Sequence, residues 1–191
     1  QHNKLFILNA CRRSTKSSML MWYMTWVGLF QNSKHMALIS TDSRSSQQKR
    51  RYILDLLGDI KPKSANQSEI VFPNGNTIKF MSSNAYEHML CGYSPNMIFL
   101  DDFAYFENQA NMMERIYPLV CNKNTQVCMA STKNLEDDLF YRFYKDSLNS
   151  NSSWVSQCVN WWDLPDGLET MKSVSEHIPK IIFDKEWKSN F

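Results

Sequence analysis

The sequence predicts an α/β fold with a mostly parallel central sheet, helices on both faces and one inserted β-hairpin. Three observations carry this. Short apolar runs alternate with longer helical stretches along the chain. The apolar runs are continuous rather than alternating, which marks strands buried on both faces. Pro73-Asn74-Gly75-Asn76 separates two short strand-like segments and reads as a hairpin turn.

The elements follow in order. Lys4–Asn9 (KLFILN) is a buried strand that runs into the cationic turn CRRSTKSS. Met19–Phe30 (MLMWYMTWVGLF) is apolar nearly all round and predicts a helix buried on several sides, with Trp22, Tyr23 and Trp26 in the core. Lys34–Ser40 is a second strand. Thr41–Gly58 is a helix with a capping residue at its start. Glu69–Phe72 and Thr77–Met81 form the hairpin. Asn96–Leu100 (NMIFL) is a third buried strand, ending in Asp101-Asp102. Gln109–Leu119 is helical, and Thr125–Ala130 is a fourth strand ending in Ser131-Thr132. Asp137–Ser147 is an amphipathic helix, Val155–Trp161 a fifth strand, and the tail short helix and loop.

Composition sets the class. The chain has 191 residues, 43% of them hydrophobic and 13% aromatic, enough for a core of ordinary domain size and too many for disorder. The longest apolar stretch is about twelve residues, where a bilayer span needs roughly 20. Charge is uneven. Residues 1–63 carry 11 Lys/Arg against 3 Asp/Glu, whereas residues 64–191 carry 10 against 16. A basic first third points to a polyanionic partner, with an uneven solvated surface as the alternative. The five cysteines are odd in number and lack CxxC spacing, which argues for reduced thiols and against a zinc site. The chain opens at Gln1 without a basic-then-apolar leader or an initiator Met, and reads as a piece of a longer protein.

In a parallel sheet the ligand sits at the carboxyl ends of the strands, so the polar residues there are the place to look. Ala10–Ser18 (ACRRSTKSS) joins a strand to a helix and places Lys16-Ser17 where a phosphate-binding loop, GxxxxGK[ST], has its Lys and Ser. Taken alone the segment also suits a basic surface turn. Met97–Phe103 (MIFLDDF) has the form of a Walker B strand, with Asp101 near Mg²⁺ and Asp102 placed to orient or deprotonate water. A capped turn is the alternative. Ser131-Thr132 follow a third strand, where a hydroxyl can sense a phosphate or where an ordinary turn can lie. The order Lys/Ser, Asp-Asp, Ser-Thr, at spacings of about 85 and 30 residues, is more specific than its parts. It outlines a three-layer P-loop NTPase of the ASCE/RecA-like kind, with a strand added between the Walker A and Walker B strands.

At this point the chain resembles the ATPase domain of viral terminase large subunits, as in tailed phages and herpesviruses. The matching stretches are CRRSTKSS, SSNAYEHMLCGYSPNMIFLDDFAYF, ASTKNLEDDLFYRFYKDS, and VNWWDLP with the closing FDKEWKSNF. The resemblance implies a motor that couples hydrolysis of ATP with Mg²⁺ to translocation of double-stranded DNA into a procapsid. It implies Arg12, Arg13, Ser14, Thr15, Lys16, Ser17 and Ser18 around the nucleotide. Lys16 would bind the β/γ-phosphates, and Ser17 and Asp101 would hold Mg²⁺. Asp102 would be the catalytic carboxylate, Arg12 a mobile cis arginine, and Ser131 and Thr132 the coupling residues. Residues 1–153 would be the ATPase core and 154–191 the part leading towards a nuclease domain. The implied partners are double-stranded DNA, a portal protein, a small terminase subunit and further copies in a ring, without a membrane. The implied place is the host cytoplasm, or the nucleus for a herpesvirus-like system, with transient work at the procapsid portal.

Two departures stand out. Thr15 occupies a position usually held by Gly, and Asp102 one usually held by Glu. A misplacement of about 1 Å can cost roughly 100-fold in rate, so slow hydrolysis is an expectation. Two rivals follow: a helicase-type nucleic-acid-dependent ATPase, and a weak P-loop-like domain with a structural or DNA-binding role. His2, His35, His88 and His177 lack ligand spacing and read as surface or hydrogen-bonded residues. Arg44, Lys49, Arg50 and Arg51 read as DNA-phosphate contacts or a solvated helix face, and Trp161-Trp162 as a packing anchor.

Overall fold

The computed structural model describes residues 5–88, 90–123, 125–135 and 137–187. Lys4, His2, Met89, Asn124, Glu136 and residues 188–191 lie outside the described residues, as does the side chain of His88.

The strands are β1 (Leu5–Ala10), β2 (His35–Ser40), β3 (Ser64–Ala65), β4 (Glu69–Val71), β5 (Thr77–Ser82), β6 (Met97–Asp101), β7 (Gln126–Ser131) and β8 (Trp154–Val159). The helices are α1 (Lys16–Phe30), α2 (Ser43–Leu57), α3 (Gln109–Lys123), α4 (Leu139–Ser147), α5 (Gly167–Ser175) and α6 (Lys180–Trp187). All eight strands form one sheet in the order β3-β4-β5-β2-β6-β7-β1-β8. Among the described residues the pairs β5–β2, β2–β6, β6–β7, β7–β1 and β1–β8 are parallel, and the pairs β3–β4 and β4–β5 at the hairpin edge are antiparallel. As the sequence predicts, one strand, β7, lies between β1 and β6.

Strand alternation splits the apolar residues between two cores. Ala37, Ile39, Ile98, Leu100, Val127 and Met129 face Met112, Met113, Ile116 and Phe140 of α3 and α4. Met36, Leu38, Met97, Phe99 and Phe80 face Leu20, Met24, Val27, Ile53 and Leu57 of α1 and α2. The result is three layers. Among the described residues no helix is long and apolar enough to cross a membrane.

Helix α1 is held at its far end by the hairpin turn. The buried Asn76 donates its side-chain amide to the carbonyls of Gly28, at 2.9 Å, and Gln31, at 2.6 Å. Asn74 donates to the Gly28 carbonyl at 2.9 Å. These bonds satisfy carbonyls that a helix end leaves without partners, and they fix the axis whose other end faces the site.

Two expectations need correction here. Helix α1 is not buried on several sides: Trp22, Tyr23 and Trp26 are 57%, 46% and 49% exposed. The helix packs its Leu20–Met24–Val27 side on the sheet and leaves the aromatic side out. Beyond it, Phe6 of β1 and Val155 of β8 are also exposed, because α1 does not reach across that edge of the sheet. Lys49 lies neither on a solvated face nor on a phosphate-binding one. It is buried, and its neighbour Arg50 donates through Nε to the Asn66 carbonyl.

Candidate nucleotide-binding site

The adjacency of β6, β7 and β1 brings three polar strand ends together. Ser17 Oγ donates to Asp101 Oδ1 at 2.9 Å, across 84 residues of sequence. Lys16 Nζ donates to Thr132 Oγ1 at 3.2 Å and pairs with Asp102 Oδ1 at 3.2 Å. A cavity of about 320 Å³ opens over this cluster, lined by Arg12, Lys16, Thr41, Asp102, Tyr105 and Thr132.

The loop between β1 and α1 has an unusual backbone. Arg13 and Thr15 are both left-handed, at φ 64° and 58°. Such conformations cost free energy and cluster at functional sites. No side chain caps the start of α1. Its first amides and the positive end of the helix therefore suit an anion. Arg13, Ser14 and Thr15 line a second cavity of about 430 Å³ on the other side of the loop, with Trp161, Pro165 and Met171. Ser18 sits in the first turn of α1. The Trp161 and Trp162 rings pack edge-to-face with centroids 5.3 Å apart, and Trp162 is 48% exposed.

Ser131 is buried behind the site. Its hydroxyl accepts from Ala104 N at 3.2 Å and donates to the Thr132 carbonyl at 2.9 Å. It thus ties β7 to the short turn Phe103–Tyr105 that follows Asp102. Asp102 itself is left-handed at φ 60°, which an Asp tolerates better than most residues.

Two residues of this region escape the motif reading. Lys49 of α2 places Nζ 2.9 Å from Asp101 Oδ2. Its signal was present in the sequence: Lys49, Ile53 and Leu57 repeat every four residues, so the lysine shares the core-facing side of α2. Gln109, the first residue of α3, donates to the Ala104 carbonyl at 3.1 Å and accepts from Leu139 N at 2.9 Å. It links the Asp102 turn to the start of α4, and no sequence pattern marks it.

The donor set suits a hard divalent cation. A serine hydroxyl and a fully buried carboxylate oxygen meet at one point, and Mg²⁺ takes one or two such protein groups, the rest being water and phosphate. Among the described residues no group of three or more His, Cys, Asp and Glu could hold a metal by itself. Nearby, burial and then the Asp101 carboxylate push the Cys128 thiol up to about 12. Burial likewise raises Cys11, beside the loop. His35 shares a hydrogen bond with the Thr77 hydroxyl at 3.0 Å, and His177 one with the Ser173 carbonyl at 2.7 Å, both away from this cluster.

Solved structures share the fold. The large terminase ATPase domain of Thermus phage P74-26 superposes with a TM-score of 0.79 at 14% identity, covering 100% of this chain and 90% of that one. The HK97 bacteriophage large terminase gives 0.78 at 12% identity, covering 98% and 47%. The large terminase of a thermophilic bacteriophage, in complex with ADP, gives 0.74 at 12% identity, covering 98% and 48%. The chain therefore spans about half the length of these last two proteins. No curated protein matches it. Over residues 7–185 the sequence matches the terminase large subunit family of the T4-like-virus type, N-terminal part, and the chain belongs to that family.

Proposed function

We propose that this chain is the ATP-hydrolysing part of a DNA-packaging motor, coupling turnover of Mg-ATP to movement of double-stranded DNA into a procapsid. One observation carries the reading: Lys16, Ser17, Asp101, Asp102 and Thr132 meet at the carboxyl ends of adjacent parallel strands, in front of an uncapped helix start. The terminase of the thermophilic bacteriophage, crystallised with ADP and with ATP-γ-S, supports nucleotide as the substrate class.

The geometry is compatible with the following roles. The loop amides and Lys16 bind the β- and γ-phosphates, with Lys16 exchanging Asp102 for phosphate. Arg13, Ser14, Thr15 and Ser18 shape the loop around them. Ser17 and Asp101 would hold Mg²⁺, which would supply charge neutralisation at the phosphates. Asp102, released from Lys16, orients and deprotonates the attacking water. Arg12 is exposed on the cavity rim, where a cation can approach the phosphates. Thr132 reads the state of Lys16, and Ser131 passes it to the Asp102 turn. Family membership and the basic residues 1–63 support double-stranded DNA, a portal protein, a small terminase subunit and a ring of copies as partners. T4-like membership favours a phage motor working in the host cytoplasm at the procapsid portal.

The test is Mg-dependent ATP hydrolysis by the chain and its Lys16→Ala variant, with and without double-stranded DNA. Turnover that the variant abolishes, and that DNA stimulates, is the expected result. Retained turnover in Lys16→Ala removes Lys16 from the site. A wild-type chain that binds nucleotide without turning it over would replace the motor with a structural, DNA-binding role.

A further inference from the structure

Asp101 is fully buried; Oδ1 takes a hydrogen bond, whereas Oδ2 has no hydrogen-bond partner among the described residues and only an ion-pair contact. Oδ1 accepts from Ser17, and Oδ2 faces the Lys49 ammonium at 2.9 Å. That ammonium does not swing freely. Lys49 Nζ also donates to Ser45 Oγ at 2.7 Å, one helical turn earlier. Ser45 in turn is held by the cap of α2, its amide donating to Asp42 Oδ1 at 2.8 Å. The lysine side chain is only 10% exposed. A charge so buried is tolerated only beside a partner, and removing one member leaves the other uncompensated.

We propose that Lys49 is the resident counter-ion of Asp101, a positioning residue that keeps a free divalent cation out of the site until nucleotide arrives. The proposal rests on the reading of Asp101 as a metal-holding residue. Its physical basis is electrostatic. With Lys49 in place, a dication meets a carboxylate whose charge is already offset and an ammonium of the same sign beside it. The carboxylate alone then gives little binding, and phosphate oxygens must supply the missing negative charge. Affinity for the cation thereby becomes conditional on substrate. Lys49 reaches this position from α2, an element outside the phosphate loop and the acidic end of β6.

Mn²⁺ is the probe, its free concentration read by electron paramagnetic resonance. The chain, Lys49→Met, Lys49→Arg, Asp101→Asn and the double variant Lys49→Met/Asp101→Asn are titrated with and without ATP-γ-S. Without nucleotide, Lys49→Met is expected to bind Mn²⁺ at least about tenfold tighter than the wild type. Lys49→Arg keeps the charge and stays near wild type, and the double variant loses the gain. In EDTA the melting temperature of Lys49→Met falls, and Mn²⁺ restores it more than it moves the wild type. A packing role alone would not produce that cation-specific recovery. If Lys49→Met does not fold, Lys49→Gln carries the same comparison. Unchanged or weaker nucleotide-free Mn²⁺ binding in a folded, charge-free variant overturns the proposal, provided that Asp101→Asn weakens Mn²⁺ binding with ATP-γ-S. Should Asp101→Asn leave that binding untouched, the metal-site reading itself falls.

Discussion

Replacing Thr15 by glycine and, separately, by alanine measures the strain stored in the loop before α1. Thr15 stands at φ 58°, ψ 17°, and its hydroxyl turns back onto the Ser14 carbonyl at 2.6 Å. A residue with a Cβ pays roughly 1–2 kcal/mol in this region, and β-branching gives it no relief. Glycine escapes that cost but loses about 0.5–1 kcal/mol more backbone entropy on folding. The difference favours Thr15→Gly over Thr15→Ala by up to about 1.5 kcal/mol, centred near about 0.8. At an ordinary helical position the order is the reverse. For a domain of this size the gap is roughly 1–4 °C in Tm, readable by thermal melts and by urea midpoints at constant slope. A Thr15→Ala variant at least as stable as Thr15→Gly would refute the reasoning and mean that the loop relaxes out of the left-handed region.

Three further outcomes are expected. Asp42 caps α2, and the Ser45 amide, its strongest influence, holds its carboxyl below the usual 3.8. A depressed value stabilises the fold above the unfolded pKa and loses that stability as pH falls through the folded one. Asp42→Ala therefore lowers Tm by roughly 2–4 °C at pH 7, and the gap narrows as pH falls through the carboxyl's depressed range; a gap that stays constant into acid counts against the cap. Gly28→Ala places a Cβ into the ring of the fully buried Phe72. Overpacking of about 1–3 kcal/mol outweighs alanine's helical advantage, so a chemical melt showing no loss would mean the ring can move aside. Asp102→Asn removes the competitor for Lys16. It binds ATP-γ-S up to about fivefold tighter by calorimetry while losing turnover, and unchanged affinity would show that the Lys16–Asp102 pair contributes nothing to the nucleotide-free state.

The layers and sheet were legible because their causes are local. NMIFL and TQVCMA are short apolar runs bounded by polar residues, the pattern of strands in a covered parallel sheet, and the Asn-Gly turn leaves a hairpin little freedom. The strand between β1 and β6 followed from the order of the polar strand ends. The orientation of α1 was not legible. With apolar side chains at nearly every position from Met19 to Phe30, the sequence shows no preferred face. The sheet chose one, through Gly28 against Phe72 and the Asn76 cap. Lys49 was missed for a different reason. Read by charge, it joined Arg50 and Arg51 as a basic run. Read by period, it sits with Ile53 and Leu57, and the period was the better guide because Asp101 offers the buried partner that a core lysine needs.

The two ion pairs of the site differ in a way that orders events within it. Lys16 and Asp102 have side chains 12% and 36% exposed, whereas those of Lys49 and Asp101 are 10% and 0% exposed. A partly solvated pair is worth little and exchanges readily, while separating a buried pair strands a charge. On the proposed reading, an incoming phosphate takes Lys16 first, because Asp102 can be left to water and Asp101 cannot. Such an exchange would free Asp102, which lines the cavity, and would also withdraw the lysine from Thr132. In the proposed mechanism, phosphate binding, release of the base and the signal to β7 would be one displacement of one side chain. If Lys49 is the counter-ion proposed above, the deeper pair would hold its geometry until enough charge has gathered to compete with it.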